Sequence, residues 1–478
     1  MRSLILFLAL TAALPAAPPA PSPGEDAEVL SHVAAHADRF GSISRQIWES
    51  PETGFHERKS SALLRDELRA AGFRIQDGVA GMPTAFTAEW GGGQPVIAII
   101  GEFDALPGLS QKDVPHAEAV TAGAPGHGCG HNLLGTASAL AAVAVKEVMQ
   151  ARGLKGTVRF YGAPAEEGGG GKIYMLHAGL FRDADVALTW HPGDVNQVNL
   201  QSTLANNGAR FRFYGTAAHA AAAPERGRSA LDGAMVMLTA VEFLREHVPQ
   251  ETRIHYIISN GGSAPNIVPA FAEVTLIARN PDATTLNGIW DRVLKCAQAG
   301  ALATETRMET VQGTNYANLL PNDTLSAVVA RNMRKAGGYE YTSDERQFAL
   351  EMQKSLPGAA SRPGPDQIST EMTEGVWSAS TDVGDVSWNV PTVNFYAATF
   401  VPGTVPHTWQ SAACAGTSIG RKGMLVAART LALSALELLE NPKEIEAAKA
   451  DFEKRKAGRT WVTRIGADTK PPLDDAAK

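Results

Sequence analysis

Two side chains that bind soft metals stand one residue apart in Gly126-His127-Gly128-Cys129-Gly130-His131-Asn132-Leu133-Leu134-Gly135. The glycines around Cys129 and His131 free the backbone to turn both ligands onto one small target. Alone, a Cys-x-His pair in a glycine-rich turn suits a structural role as well as a metal. Its meaning changes with Glu166-Glu167 and His191, which lie at the ends of stretches that read as strands. Neighbouring side chains of an extended segment point opposite ways, so the two glutamates cannot share one task. One can hold a metal while the other faces a water. The four glycines 168–171 that follow let a substrate or backbone come close.

The elements around these residues alternate. Residues 26–45 and 59–71 carry helical spacing, and strands read at 84–90 and 96–100, the second running into Gly101-Glu102-Phe103-Asp104. The Cys-x-His loop leads to a small-residue helix over 136–150, with Gly153 where a C-cap glycine stands. Strands follow at 157–161 and 185–191. This β/α order predicts a sheet flanked by helices, with chemistry just beyond the strand ends, where Asp104, Glu166 and His191 fall.

From about residue 204 the pattern becomes strand, helix, strand, strand, helix, strand, which is a ferredoxin-like unit inserted in the larger domain. Its first helix follows Ser229, with Asp232 placed as in a capping box. Within it lie Ala218-His219-Ala220 and Ala264-Pro265-Asn266, which on their own read as loops. Residues 339–375 are polar with scattered Pro and Gly and read as a long excursion. Helices at 420–439 and 443–456 close the fold. The boundaries expected are 1–23 for a leader and linker, 24–203 and 314–460 for the two parts of the catalytic domain, 204–313 for the insert, and 461–478 for a polar tail.

Of 478 residues, 44% are hydrophobic and 19% charged, as in an ordinary globular protein with a large core. A formal net charge of -7 and the lack of a Lys/Arg cluster argue against nucleic-acid binding. Met1-Arg2-Ser3 and the apolar run 4–14 read as a secretory signal, cleaved between Ala13 and Ala20. The run is too short to span a bilayer, and no other stretch reads as a membrane span, so the expectation is an exported protein, periplasmic or secreted. Three cysteines cannot all pair in an oxidising compartment. Cys296 and Cys414 read as small hydrophobes, which leaves Cys129 with a separate job.

Taken in order, the motifs at 101–107, 126–131, 164–170, 189–192, 218–220 and 403–407 resemble the aminoacylase and carboxypeptidase G metallopeptidase family. Within it the chain is most similar to the amidohydrolase branch that holds metal through Cys-x-His, and to its p-aminobenzoyl-glutamate hydrolase group. The resemblance implies an α/β fold: a mixed-sheet dinuclear-metal hydrolase domain flanked by helices, with an inserted ferredoxin-like lid or dimerisation domain. It implies metal ligation by Cys129, His131, Glu167, His191 and His407, and a general base at Glu166. Such a donor set suits two divalent ions (Zn, Mn or Co) with open positions. Asp104 then orients a ligand histidine, and His219 steadies the developing oxyanion, in the partner's site. Asn266 and Arg279 grip a substrate carboxylate.

The activity so implied is metal-dependent hydrolysis of the amide bond in small N-acyl or N-aroyl amino acids, such as p-aminobenzoyl-glutamate-like conjugates. Glu166 serves as base towards a water activated by metal. A dipeptidase or aminopeptidase of the same fold, or a non-catalytic binding protein, is the alternative. A homodimer with shared sites is expected, with a heteromer of sister subunits as the other arrangement.

Overall fold

A computed structural model describes residues 23–369 and 372–473. The signal expected within 1–23 lies outside the described residues, apart from Pro23.

Four parallel strands form the centre of an eight-stranded mixed sheet, in the order Gly156–Ala163, Val96–Glu102, Val186–Gly193, Thr392–Ala398. Val96–Glu102 is buried along its whole length, as a parallel strand covered on both faces must be. Antiparallel strands Phe86–Gly92 and Arg74–Asp77 extend one edge; Asn196–Val198 and then Ile368–Ser369 extend the other. The chain leaves Val96–Glu102 to pair on one side through Gly156–Ala163, then returns on the other through Val186–Gly193. That reversal opens a crevice beyond the carboxyl ends of the strands, where ligands of α/β sheets bind.

The helix His131–Arg152 is buried over most of its length and packs against Ser418–Glu440. It is long and apolar enough to cross a membrane, but its surface is spent on the core of this fold. It begins at His131 rather than near 136, because Gly130, with φ 80°, makes the turn directly into it. A Cβ on Gly130 would sit 2.9 Å from the Pro192 side chain, so the second ligand of the Cys-x-His pair is the helix's first residue only because residue 130 is glycine.

Residues 205–316 build a second, antiparallel sheet in the order Arg307–Tyr316, Ala205–Tyr214, Phe271–Asn280, Arg253–Asn260. Helices Ala230–Arg245 and Ala283–Ala303 cover one face. Phe271–Asn280 alternates buried and half-buried residues throughout, and its inward side chains join Phe211, Phe213 and Trp290 in a core of their own.

Several expectations are corrected. The helical stretch 26–45 is two helices, Pro23–Ala35 and Ala37–Glu49, which meet at His36. Arg74–Asp77, an edge strand of mostly exposed residues, carries no apolar alternation to announce it. Ser229 caps its helix by accepting the Asp232 N–H, but reciprocal capping boxes form elsewhere, at Thr342 with Glu345, inside the supposed excursion, and at Thr408 with Ser411. That excursion holds the helix Ser343–Gln353 and the strands Ile368–Ser369 and Glu374–Trp377; it reads as polar because only a narrow stripe of the helix is buried. The supposed polar tail packs at its start: Ile465 is buried, and the Trp461 indole N–H donates to Asp385 Oδ1 at 2.7 Å.

Candidate active site and metal centre

Every side chain singled out in the Cys-x-His, Glu-Glu, His191 and His407 stretches reaches the crevice. His191 comes from the end of Val186–Gly193; its Nδ1–H donates to the Pro192 carbonyl at 2.8 Å, which leaves the Nε2 lone pair 3.3 Å from Cys129 Sγ. His131 Nδ1 meets Asp104 Oδ1 at 2.8 Å and so turns its Nε2 inward. Asp104 Oδ2 accepts the backbone N–H of Glu167 at 2.8 Å, which fixes the glutamate loop to the same carboxylate. His407 Nε2 lies 3.5 Å from Glu167 Oε2. Its backbone N–H donates to the Gly128 carbonyl at 2.9 Å, clipping its loop to the Cys129 turn.

Strain marks the same place. Ala165, just before Glu166, has φ 56°, and His407 has φ 65°; neither is glycine, and such conformations persist where surrounding structure fixes them. The Ala165 N–H donates to Glu57 Oε1 at 2.8 Å, and Tyr316 Oη donates to the Glu166 carbonyl at 2.7 Å. The Glu57 carboxyl is pushed up to about 8 by burial and by Asp104.

The residues fit a cation. Donor atoms of Cys129, His131 and His191 lie within 4.8 Å of one another, as do those of Cys129, Glu167 and His407, and those of Glu102, His131 and Glu166. His131 Nε2 and Glu167 Oε1, 4.0 Å apart, are both buried without a hydrogen-bond partner. Burial and His131 push His191 down to about 4, so it stays a neutral donor at physiological pH. Burial works against positive charge on His131, but Cys129 and Asp104 overcome it and raise its pKa well above the usual range. Sulfur, imidazole and carboxylate donors together suit Zn and tolerate Mn or Co. Glu166 is held well above the usual carboxylate range by burial and by Glu102 and Glu167, which fits a group that takes and returns a proton.

Three residues were not apparent from sequence. Glu102 Oε2 lies 3.3 Å from His131 Nε2, and its Oε1 lies 2.7 Å from the fully buried Lys172 Nζ. Lys172 Nζ also reaches Asp382 Oδ1 at 2.5 Å, and the Lys172 backbone N–H reaches Asp382 Oδ2 at 3.0 Å. The signal for Glu102 was its place two residues before Asp104 at a strand end, where both side chains leave the sheet on one side. Lys172 directly follows the glycine run 168–171, and Asp382 lies far along the chain from it, so no local pattern ties the two together.

Glu102, Cys129, Glu166, Glu167, His191 and His407 wall a cavity of about 330 Å³ that also takes in Arg279, Ser380 and Trp377. Arg279 is half-buried, and its Nη1 donates to Ser380 Oγ at 3.3 Å. His219 and Asn266 are not brought to it. Both are exposed on the inserted unit, where His219 Nδ1 accepts the N–H groups of Ala221 and Ala222 and the Asn266 carbonyl accepts that of Ala220.

A family model described as peptidase family M20/M25/M40 matches residues 98–432. The chain is 43% identical to a p-aminobenzoyl-glutamate hydrolase component of Escherichia coli (strain K12), over 85% of this chain and 90% of that protein. It is 32% identical to the Xaa-Arg dipeptidase of Mus musculus, over 90% and 94% of the two chains. Among solved structures, a dinuclear metal binding peptidase of Bacillus subtilis superposes with a TM-score of 0.55 at 18% identity, covering 85% of this chain and 99% of that one.

Proposed function

The chain belongs to peptidase family M20/M25/M40, and on that premise we propose which bond it cuts and which residues cut it. It is a metal-dependent hydrolase of amide bonds. The substrate we assign is an N-acyl or N-aroyl amino acid of the p-aminobenzoyl-glutamate type, the conjugate named for its 43% identical relative. Cys129, His131, Glu167, His191 and His407 would hold two divalent ions, their donor atoms grouping as Cys129 with His131 and His191 and as Cys129 with Glu167 and His407. Divalent ions bound there supply the Lewis acidity that polarises an amide carbonyl and acidifies a water. Glu166 takes the proton of the attacking water and delivers it to the leaving amide nitrogen, so that one carboxyl serves as base and then acid. Arg279 pairs with the substrate carboxylate.

The observation that carries this reading is Glu166, buried with a raised pKa in the wall of a cavity shared with the donors. Replacing Glu166 with Gln should abolish hydrolysis of N-aroyl amino acids while metal content stays at the wild-type level. Wild-type turnover by that variant would remove Glu166 from the reaction. A dipeptidase reading draws on the 32% identical relative. It needs a free carboxylate for the substrate amine, yet the acids of the cavity wall, Glu102, Glu166 and Glu167, are engaged with Lys172, the proton transfer and His407. Turnover of free dipeptides in preference to N-blocked ones would decide for it.

We further assign the inserted unit to dimerisation. Among the described residues its outer strand, Arg253–Asn260, pairs only with Phe271–Asn280, and Ile257 on it is 63% exposed; Phe243 on the neighbouring helix is 71% exposed. A second copy pairing there would bring His219 and Asn266 to the other site, the homodimer arrangement we assign, with a sister subunit in the same place as the alternative. Mixing His219→Ala with Glu166→Gln protein under subunit exchange should restore partial activity; none, with exchange verified by mass, overturns the shared site. Export follows from the leader alone, and fractionation with N-terminal sequencing of the mature chain checks it.

A further inference from the structure

Behind the metal-centre cavity lies a second one of about 310 Å³, and Trp377, Val405 and Pro406 line both. These side chains therefore form the partition between them. Trp377 ends the strand Glu374–Trp377, which pairs in parallel with Leu200–Thr203 and so is held from the main fold rather than by a free loop. Its ring meets that of Tyr396 edge-on, with centroids 5.6 Å apart and planes at 80°. Tyr396 in turn lies 6.0 Å from the ring of His191. An aromatic wall thus runs from a metal-site histidine into the second cavity.

The far compartment has unusual polar chemistry. Asn199 Oδ1 and Thr404 Oγ1 are buried there without a hydrogen-bond partner. Buried polar atoms are seldom left so, and an orphaned acceptor costs stability until a ligand supplies a donor. Among the described residues the compartment also offers no free charge. Arg362 is bidentate to Asp194 at 2.9 and 2.8 Å, and Asp194 Oδ2 further accepts the Gly403 N–H at 2.9 Å. An anionic group would find its cation already occupied, whereas a neutral donor would find an acceptor waiting.

We propose that this second compartment is the acyl subsite, taking an aromatic acyl ring whose far end carries a neutral hydrogen-bond donor, an arylamine, received by Asn199 Oδ1. The ring lies along Trp377 and Tyr396, and the scissile amide stays on the metal side of the partition. This rests on the N-aroyl reading above and adds the residues that would select the ring and its substituent.

The test compares N-(4-aminobenzoyl)-glutamate, N-benzoyl-glutamate and N-acetyl-glutamate as substrates of the metal-loaded enzyme, and 4-aminobenzoate with benzoate as inhibitors of the wild type. Wild type should favour the 4-amino ring over the plain one by about tenfold in kcat/KM, the worth of one good hydrogen bond. 4-Aminobenzoate should inhibit more tightly than benzoate by a similar factor. Asn199→Leu should erase the preference for the amino substituent. Trp377→Ala, at a position 38% exposed, should lower the ratio of aroyl to acetyl kcat/KM for both rings alike. If wild type cleaves aroyl substrates with no preference for the amino ring, or if Asn199→Leu or Trp377→Ala leaves these ratios unchanged, the subsite is overturned and the N-aroyl reading stands. If wild type cleaves N-acetyl-glutamate or free dipeptides but neither aroyl substrate, the reading itself falls and takes the subsite with it.

Discussion

Asp104 holds His131 through one carboxylate oxygen and the backbone of Glu167 through the other, both at 2.8 Å. One buried side chain thereby fixes the ring of His131 and the loop that carries both glutamates. Replacing Asp104 with Asn removes the charge on His131 and puts an amide donor against one of the two N–H groups. Loss of such a partner typically weakens metal binding by about 10–100-fold. Competition against a chelator of known affinity should show a drop of that size, and unchanged metal affinity would mean that Asp104 only fills space.

Metal binding should release a proton from Cys129. Burial and the Glu167 carboxylate hold its thiol well above the usual range, so the metal-free protein carries the proton throughout neutral pH. A thiolate ligand must give it up, and His131, whose pKa is also raised, must give up its own, so affinity then rises with pH by about tenfold per unit for each proton displaced. His191 adds nothing to this slope above pH 5, because its own pKa is about 4. Titration calorimetry in buffers of different ionisation enthalpy should detect the proton, and Cys129→Ser should remove it. A pH-independent affinity between pH 6 and 8 would contradict the thiolate assignment.

Lys172 is fully buried between Glu102 and Asp382. Burial opposes its charge, but the two carboxylates overcome that and raise its pKa further, so it stays protonated at any pH the fold survives. Lys172→Met leaves two buried carboxylates without their cation. Breaking a buried pair in this way costs about 3–5 kcal/mol. Urea denaturation of metal-free protein should show that loss, and adding Asp382→Asn to the Lys172→Met protein should recover part of it. No loss in the single variant would mean that Glu102 and Asp382 are neutral in the fold.

Much of this centre was legible because its chemistry demands particular residue types in fixed local order. Cys129, His131, Glu166, Glu167, His191 and His407 lie in glycine-rich or strand-end motifs, and the fold brings them together at the carboxyl ends of the parallel strands. The ferredoxin-like insert showed itself through clean alternation, as in Phe271–Asn280. What stayed hidden was long-range pairing. Nothing local says that Lys172 meets Asp382, 210 residues away, or that Glu102 joins them. The segment 339–375 was unreadable for another reason. Its helix exposes most of its surface and its strands are only a few residues long, so neither period was long enough to register.

Arg279 supplies the last prediction, on what the site grips. Its strand lies in the inserted unit, yet its side chain enters the cavity of its own chain, where Asn266 and His219 do not. Burial lowers its pKa, and among the described residues no carboxylate pairs with it; its neighbour there is the Ser380 hydroxyl. A half-buried guanidinium without an anion is costly to keep, and a substrate carboxylate would complete it. A charged hydrogen bond of this kind is worth about 1.5–3 kcal/mol, so Arg279→Met should lower kcat/KM for an N-aroyl glutamate by roughly 10–150-fold, mainly through KM. Lysine keeps the charge but loses the planar fork, so Arg279→Lys should fall between the two. The control is a substrate whose carboxylates are converted to amides: wild type should handle it poorly, and Arg279→Met should make it no worse. An equal loss on the acid and the amide would show that Arg279 supports the fold of the cavity wall instead of binding the substrate's charge.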